Sequence, residues 1–324
     1  MNSFGRILKI SIYGESHGPE IGFILDGCPP GISLSETDFK EDVKRRSPGE
    51  IGTTSRIESD LPIIKSGIYN GFTTGNPIAI SFSNNNTISK DYSFDGFYRP
   101  GHADFTANAK SAGFNNPLGS GHFSGRLTLP LVAAGVIAKK IISQIDINAK
   151  LIEAGGSKDI KTAIGNAVKS GDSIGGIIEC RASGLPVGLG EPFFDSVESL
   201  ISHAAFSIPG LKVIEFGEGI LSAKSKGSEF NDIFIDKSGT TKTNNSGGIN
   251  GGLSNSNEVY FRLYFKPSSS IPKVQNTLNF KSGKIEDFEI TGRHDSCYAI
   301  RVPVVIEAIT ALVLADLFLT DNKI

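Results

Sequence analysis

A long apolar segment at residues 302–319 restricts the choice of fold more than any other feature. Glu307 and Asp316 are its only charged residues. A helix that is apolar around its whole circumference has to be covered on several sides. Residues 129–145 and 196–206 are predicted helices of the same apolar kind. We therefore expect a layer of helices between sheets.

Short β-branched and apolar runs supply the strands of those sheets. They lie at residues 7–13, 21–25, 63–68, 78–82, 174–182 and 259–265. A Ser-x-x-Asp start at Ser35 predicts a helix through Arg46, and Thr128 is the candidate N-cap of the next helix. Residues 99–124 have little periodicity and predict a long loop. Since no linker or repeat divides the chain, we expect a single domain over residues 1–324.

The balance of charge and the cysteines restrict the partners and the compartment. With 32 basic and 34 acidic residues, the chain has no overall field for nucleic acid or an anionic membrane, so any anion site has to be local. Cys28, Cys180 and Cys297 are odd in number and far apart, which argues against a disulfide framework. There is no apolar signal segment, and no uncharged apolar run reaches the roughly 18 residues of a spanning helix. We therefore expect a cytoplasmic protein with neither membrane nor nucleic acid as a partner.

Three short segments combine a histidine with hydroxyl or charged neighbours. They are Gly-Glu-Ser-His-Gly at 14–18, Arg-Pro-Gly-His-Ala-Asp at 99–104 and Gly-Arg-His-Asp-Ser-Cys at 292–297. Glycines and prolines in such segments are typical of loops that present side chains rather than bury them. Each segment is therefore a candidate part of one functional site.

Two common chemistries fit these segments poorly. The first segment matches the Gly-x-Ser-x-Gly pattern of a hydrolase nucleophile, but Pro19 and a second predicted strand follow it where that motif requires a helix. The pairs His102/Asp104 and His294/Asp295 do not have the spacing of zinc ligands. We therefore predict no metal site.

Phosphate or carboxylate binding fits better. The glycine-rich residues 119–125 precede a predicted helix, where backbone N–H groups can face an anion, although flexible filler explains the glycines equally well. Lys266-Pro267 and three serines suit a phosphate group, with a polar turn as the alternative. Arginine is concentrated in loop-like segments, at Arg45, Arg46, Arg56, Arg99, Arg126 and Arg293. Because guanidinium groups hold carboxylates and phosphates through paired donors, their convergence predicts a ligand with several negative charges.

Taken in order, these motifs resemble those of the chorismate synthase family. The histidine segments are joined by Asp-Gly-x-Pro-Pro-Gly at 26–31, Arg-Arg-x-Pro-Gly at 45–49, Gly-x-Pro-x-Gly-Leu-Gly-Glu-Pro at 184–192, Gly-Gly-Ile-x-Gly-Gly at 247–252 and Lys-Pro-x-Ser-Ser at 266–270. Together they cover nearly the whole chain. The resemblance implies a single-domain α+β fold, a β-α-β sandwich with apolar helices packed between antiparallel sheets, in a homotetramer.

The resemblance also implies a reaction, the last step of the shikimate pathway. In it, 5-enolpyruvylshikimate 3-phosphate loses phosphate and a ring proton in an anti-1,4-elimination that gives chorismate. The family requires reduced FMN although no net oxidation occurs. Whether an external reductant supplies the reduced FMN or NADPH is used directly stays open. The phosphate and two carboxylates of the substrate, together with the phosphate of FMN, agree with the arginine-rich loops.

The family's residue roles carry over to the matching positions. His102 matches the histidine near the leaving phosphate, and His17 matches the one that protonates reduced flavin. Asp295 matches the aspartate that helps to remove the ring proton through flavin N5. The positions implied for substrate binding are Ser16, Arg46, Arg56, Arg99, Ser124, Gly125, Arg126 and Arg293. Those implied for FMN are His122, Phe123, Ser124, Pro209, Gly210, Gly251, Lys266, Pro267, Ser268, Ser269, Ser270 and Arg293.

Two loops depart from the family pattern. His122 replaces the usual arginine in the loop at 119–126. The loop after Arg46 is one residue short and lacks the usual second arginine between Gly49 and Thr53, which leaves Arg56 as its stand-in. These changes bear on flavin affinity and reductant use more than on the reaction. A flavin- or nucleotide-binding protein without elimination activity is the alternative interpretation.

Overall fold

The structure, a computed structural model, describes residues 2–87, 94–290, 292 and 294–321. Within these residues the strands are β1 (Ser3–Phe4), β2 (Lys9–Gly14), β3 (Glu20–Asp26), β4 (Ile63–Ser66), β5 (Ile68–Tyr69), β6 (Phe72–Thr73), β7 (Ile78–Ser83), β8 (Asp146–Ala154), β9 (Gly176–Ser183), β10 (Leu211–Phe216), β11 (Ile249–Asn250), β12 (Leu253–Ser254), β13 (Val259–Phe265), β14 (Gln275–Asn279) and β15 (Lys284–Phe288). The α-helices are α1 (Lys40–Arg46), α2 (Asp104–Lys110), α3 (Thr128–Ile141), α4 (Ile160–Lys169), α5 (Val197–Ala205), α6 (Gly227–Phe230) and α7 (Pro303–Thr320).

The first large sheet has the strand order β1-β2-β3-β7-β4, and every neighbouring pair is antiparallel. In β3 the side chains of Ile21, Phe23 and Leu25 are fully buried. Ile24, between two of them, is 43% exposed. This alternation is what a strand with one covered face requires. The tight connection from β2 to β3 holds Ser16 and the histidine that follows it at one end of this sheet.

The second large sheet has the order β10-β13-β9-β8 and is also antiparallel. In its inner strand β13, the side chains of Val259, Phe261, Leu263 and Phe265 are buried on one face. The strand ends at Phe265, immediately before Lys266. The Lys-Pro-Ser-Ser-Ser segment, which is predicted to bind phosphate, therefore leaves the sheet at the end of an inner strand.

Helices α3, α5 and α7 form the layer between the two sheets. Helix α7 packs against α3 and α5 as well as against β8 and β9, and α3 also packs against β3. Gly135 lets α3 approach α7 closely, because a Cβ there would lie 2.4 Å from the Cβ of Ala308. The α+β sandwich with apolar helices between antiparallel sheets is therefore confirmed. In the described part of the chain, Pro303–Thr320 is one helix with the length and composition of a membrane span, and 78% of it is buried inside the fold.

The two charges of α7 connect the helix to other parts of the fold. The Asp316 carboxylate accepts hydrogen bonds from the backbone N–H groups of Arg6, Ile7 and Leu8 at 2.7 to 3.0 Å. The Glu307 carboxylate accepts a hydrogen bond from each terminal nitrogen of Arg45, at 2.7 and 2.6 Å. Each buried charge therefore has hydrogen-bond partners, as burial requires. Arg45 thus neutralises a buried carboxylate of α7 and does not line the cavity described below.

Several predicted boundaries were wrong. Helix α3 ends at Ile141, before the predicted residue 145, because the chain has to turn back into β8 at Asp146. Thr128 is the first residue of the helix rather than its N-cap, which is Leu127. The predicted loop at 99–124 contains α2, and α4, β8 and β10 were not predicted. The helix expected from Ser35 is present as a 3-10 turn, Glu36–Phe39, that continues into α1.

Candidate active site

One cavity of about 630 Å³ collects the loops that the sequence singled out. Its wall includes residues from the segments 16, 46–60, 99–103, 119–128, 207–210, 266–270 and 294–305. These are the connection after β2, the end of α1, the loops around α2, the start of α3, the end of α5, the end of β13 and the start of α7. A volume of this size is typical of small-molecule sites.

Arg99, His102 and Asp104 form a closely bonded unit on one wall. Arg99 donates to both carboxylate oxygens of Asp104 at 2.7 Å, and His102 Nδ1 lies 2.7 Å from Asp104 Oδ1. His102 Nε2 then faces the hydroxyl of Ser120 at 3.3 Å. Burial acts to raise the pKa of Asp104, but the hydrogen bonds from Arg99 and His102 outweigh it and hold this pKa well below its ordinary value. The carboxylate therefore stays ionised and fixes the orientation of the imidazole.

The Lys266 segment lies against this unit. Lys266 Nζ donates to the backbone oxygen of Gly101 at 2.7 Å and contacts the hydroxyl of Ser269. Arg99 Nη1 is 3.5 Å from the hydroxyl of Ser270. Burial, and secondarily the positive charge of Lys212, lower the pKa of Lys266. An ammonium, a guanidinium and several hydroxyl groups converge here, which is a suitable donor set for phosphate oxygens.

A second group of charges is buried around Asp60. Its Oδ1 accepts from Arg126 Nη1 at 2.6 Å, and its Oδ2 lies 3.7 Å from Arg46 Nη1. Arg46 also donates to the hydroxyl of Thr128 at 3.0 Å and to the backbone oxygen of Gly125 at 3.1 Å. Burial lowers the pKa of Arg46 to about 9 against the opposing effect of Asp60. The guanidinium is therefore still charged near neutral pH.

Arg56 holds the serine of the first histidine segment. Its Nη1 donates to Ser16 Oγ at 2.9 Å and its Nη2 to the Ser16 backbone oxygen at 3.0 Å, while Glu58 pairs with the same guanidinium. Ser16 is 1% exposed, and its backbone N–H donates to Gly121. This environment gives Ser16 an arginine partner rather than the histidine base of a hydrolase.

Asp295 also lines the cavity, and two groups of the protein hold its carboxylate. Its Oδ1 accepts a hydrogen bond from the backbone N–H of Thr54 at 2.8 Å. Both of its oxygens accept hydrogen bonds from Arg301 Nη2, at 2.9 and 2.7 Å. Arg301 ends the short 3-10 helix Tyr298–Arg301, which directly precedes α7. The carboxylate is thus held from two sides at the cavity wall.

The glycine-rich loop takes an unusual backbone path beside these groups. Gly119, Ser120 and Gly121 all have positive φ, of 60°, 69° and 51°. His122 Nδ1 donates to the backbone oxygen of Gly14 at 2.8 Å, so this residue ties the loop to the end of β2. Phe123 is 46% exposed and contributes an aromatic surface to the cavity.

Most, but not all, of the sequence-predicted site residues meet in this cavity. Those that line it are Ser16, Arg46, Arg56, Arg99, His102, His122, Phe123, Ser124, Gly125, Arg126, Pro209, Gly210, Lys266, Pro267, Ser268, Ser269, Ser270 and Asp295. His17 does not line it; its ring packs behind Gly119, where a Cβ would lie 2.3 Å from Cδ2. Gly251 is exposed at the tip of the β11–β12 hairpin, away from the lining residues. Arg293 lies outside the described residues.

Sequence reasoning missed several wall residues. They include Thr54, Glu58, Asp60, Tyr298 and Arg301. The available signal was the alternation Arg-x-Glu-x-Asp at 56–60, which puts acidic side chains beside a loop arginine. Arg301 gave a second signal, as the arginine nearest to the start of the most apolar helix.

Comparisons with known proteins give consistent results. A family model described as chorismate synthase matches residues 8–319. The chain is 55% identical to a chorismate synthase of Chitinophaga pinensis over 325 residues, covering 100% of this chain and 98% of that one. It is 41% identical to a chorismate synthase of Lachnospira eligens, covering 98% and 95%. A crystal structure of a chorismate synthase is similar with a TM-score of 0.77 and 25% identity, covering 98% of this chain and 93% of that chain.

Proposed function

This chain belongs to the chorismate synthase family, and from that premise we propose that its cavity converts 5-enolpyruvylshikimate 3-phosphate to chorismate. In this elimination the bond from ring carbon to phosphate oxygen breaks, a ring proton is removed, and a new carbon–carbon double bond forms. One observation carries the assignment to this cavity: its lining unites several buried arginines with an imidazole that Asp104 holds. These groups suit a substrate with one phosphate and two carboxylates.

His102 and Arg99 act on the leaving phosphate in this proposal. Since Asp104 holds Nδ1 of His102, the Nε2 atom is the one that faces the cavity. Negative charge develops on the phosphate oxygen as its bond to carbon breaks. In its doubly protonated form, the ring donates through Nε2 to that oxygen, and the adjacent guanidinium adds a second donor. Both stabilise the charge in a partly buried site, where electrostatic interactions are stronger than in water.

Asp295 is the proposed proton acceptor for the ring hydrogen. The Thr54 N–H and Arg301 hold its carboxylate in one orientation. A carboxylate fixed in this way does not have to be reordered when the substrate binds, which is the advantage of a preorganised site. Ser16, Arg46, Arg56, Ser124, Gly125 and Arg126 are proposed to bind and orient the substrate, and Arg293 remains a prediction for the same role.

The cavity also fits FMN, whose reduced form the family is known to need. Ile208, Pro209, Val302 and Val305 give it an apolar wall suited to a flat ring system. The Lys266–Ser270 segment provides the donors for a phosphate group. When bound, reduced FMN would supply electron density to the substrate. His122, Phe123 and Gly210 would contact it, and the roles of His17 and Gly251 toward the cofactor remain predictions.

We extend the proposal to the oligomeric state, the source of reduced flavin and the cellular location of the enzyme. A homotetramer, a separate source of reduced flavin and a cytoplasmic location follow from the family resemblance. Cys28, Cys180 and Cys297 are buried and unpaired, which agrees with a reducing compartment.

The assay follows phosphate release from 5-enolpyruvylshikimate 3-phosphate with anaerobically reduced FMN. We expect release by the wild-type chain, a large loss in His102→Ala, and little change in His203→Ala. His203 is the matched control because it lies on α5 against Phe4, outside the cavity. If wild type and His102→Ala release phosphate equally slowly while both bind FMN, the alternative of a flavin-binding protein without elimination activity would replace this proposal. The comparisons do not favour that alternative.

A further inference from the structure

The arginines of the cavity differ in how many of their donors the protein already uses. In Arg56, Arg99 and Arg126, all three guanidinium nitrogens donate to oxygen acceptors of the chain. Arg301 donates through Nη2 alone, to Asp295. Within the described residues its Nε and Nη1 have no acceptor. Arg301 is therefore the described cavity arginine with the most unused donors.

The charges around Arg301 are also unequal in number. Among the described residues, Arg46, Arg126 and Arg301 bring three positive charges to this side of the cavity, and Asp60 and Asp295 bring two negative ones. The neighbouring Arg56 is balanced by Glu58. Among these described residues, one positive charge is thus left over in a partly buried place, where an uncompensated charge is costly.

The arginines are close enough to affect one another. Burial is the main cause of the lowered pKa of Arg46, but the positive charges of Arg301 and Arg126 contribute in the same direction. Repulsion of this kind between buried guanidinium groups is relieved when an anion binds between them. Arg46 Nη1 is 3.7 Å from Asp60, beyond hydrogen-bond length, so it too has donor capacity for such an anion.

We infer that Arg301 is a substrate-binding residue whose Nη1 takes one carboxylate of the substrate, beside Arg46, while its Nη2 keeps hold of Asp295. The inference rests on the proposed function for the identity of the substrate. A carboxylate brings one negative charge and two acceptor oxygens, which matches the excess of one positive charge. The phosphate has its own donors, Arg99 and His102, at the other wall.

This arrangement gives Arg301 a positioning role as well. The same planar guanidinium would hold the substrate and the proposed proton acceptor, so the distance between them would be set by one rigid group. Lysine cannot do both, since its ammonium lacks the fork of fixed donors. Arg301→Lys should therefore keep part of the binding and lose more of the turnover.

Calorimetric titration of the full chain, saturated with oxidised FMN to prevent turnover, tests the subsite. We expect Arg301→Gln to weaken binding of 5-enolpyruvylshikimate 3-phosphate by about 10- to 100-fold, the loss typical of one charge-assisted hydrogen bond. Binding of inorganic phosphate should be unchanged. The matched control is Arg262→Gln, because Arg262 pairs with Glu179 and Glu215 on the second sheet and does not line the cavity.

The outcomes separate the subsite from the proposed function. Unchanged substrate affinity in Arg301→Gln, or an equal loss for substrate and inorganic phosphate, would overturn the subsite whatever the turnover. Wild-type chain that binds substrate but releases no phosphate would overturn the proposed function and leave the binding result standing. If Arg301→Gln unfolds, Arg301→Lys replaces it: a fall in kcat larger than the rise in KM supports the inference, and an unchanged kcat rejects it.

Discussion

His102 Nδ1 lies 2.7 Å from Asp104 Oδ1, and both residues belong to the same short segment at the start of α2. The carboxylate accepts a hydrogen bond from the Nδ1–H group and leaves Nε2 to face Ser120 and the cavity. Arg99 holds the same carboxylate through two hydrogen bonds. Asp104 therefore acts on the proposed proton donor without being among the residues that line the main cavity.

We predict that Asp104→Asn lowers kcat by about 10²- to 10⁴-fold with a smaller effect on FMN binding, since an amide orients the imidazole differently and carries no charge. Phosphate release under saturating substrate and reduced FMN measures the change. Asp172→Asn is the control, because Asp172 pairs with Lys273 at the surface. Equal turnover in Asp104→Asn and wild type would show that the contact to His102 has no part in the reaction.

The lowered pKa of Asp104 also predicts a dependence of stability on pH. In the unfolded chain an aspartate titrates near pH 4, whereas in the folded chain Arg99 and His102 keep it ionised to lower pH. Its contribution to the free energy of unfolding is thus complete above about pH 4 and is lost as pH falls toward the folded pKa. Urea unfolding of wild type and Asp104→Asn should differ most near neutral pH and converge in acid. A difference that grows in acid would contradict this sign.

Asp295→Asn should leave FMN binding nearly intact while lowering turnover by about 10²- to 10⁴-fold, as expected for a lost proton acceptor. The amide can still accept from the Thr54 N–H, so the local backbone should be kept. Flavin fluorescence measures binding, and phosphate release measures turnover. Should the variant turn over at the wild-type rate, the proton acceptor would have to be sought elsewhere in the cavity.

The parts of the fold that the sequence predicted are those whose reason for forming is local. An unbroken apolar run has to be buried, so α7 and the first part of α3 could be expected from residues 302–319 and 129–145 alone. Strand β8 was missed although Ile147 and Ala149 alternate with exposed residues, because those exposed residues, Asp146, Asn148 and Lys150, are of types that rarely occur in strands. Tertiary pairing, not local preference, determines that strand.

In the candidate site, too, features with a local signal were predicted and features that depend on tertiary contacts were not. Histidine, glycine and proline mark the loops in the sequence, so the lining by His102 and Asp295 could be expected before any contact was known. The pairing of Asp60 with Arg126 could not, since the two residues lie 66 positions apart and no pattern in the sequence joins them. Arg301 was missed for a related reason, because its value comes from donors that the fold leaves unused.

Breaking the Asp60 pair should be costly to stability. Asp60 is 4% exposed and its φ of 47° is unusual for a residue other than glycine, so it is held in place by its contacts with Arg126 and Arg46. Asp60→Asn would leave two buried guanidinium groups without a counter-charge, and we expect about 3–5 kcal/mol lower free energy of unfolding. Chemical denaturation gives the value. Adding inorganic phosphate should recover part of the loss, because an anion then replaces the carboxylate.

The last prediction concerns α7 and the N-terminal segment. Asp316 is 3% exposed and accepts three backbone N–H groups, of Arg6, Ile7 and Leu8. Asp316→Asn presents an NH₂ group where the chain needs an acceptor, so at least one buried N–H should lose its partner, at a cost of about 1–3 kcal/mol in the free energy of unfolding. Asp146→Asn, at the exposed first position of β8, is the control. Hydrogen exchange should accelerate first at residues 6–8 in Asp316→Asn, because these amides depend directly on the carboxylate; exchange that accelerates uniformly across the first sheet would instead assign the loss to packing of α7.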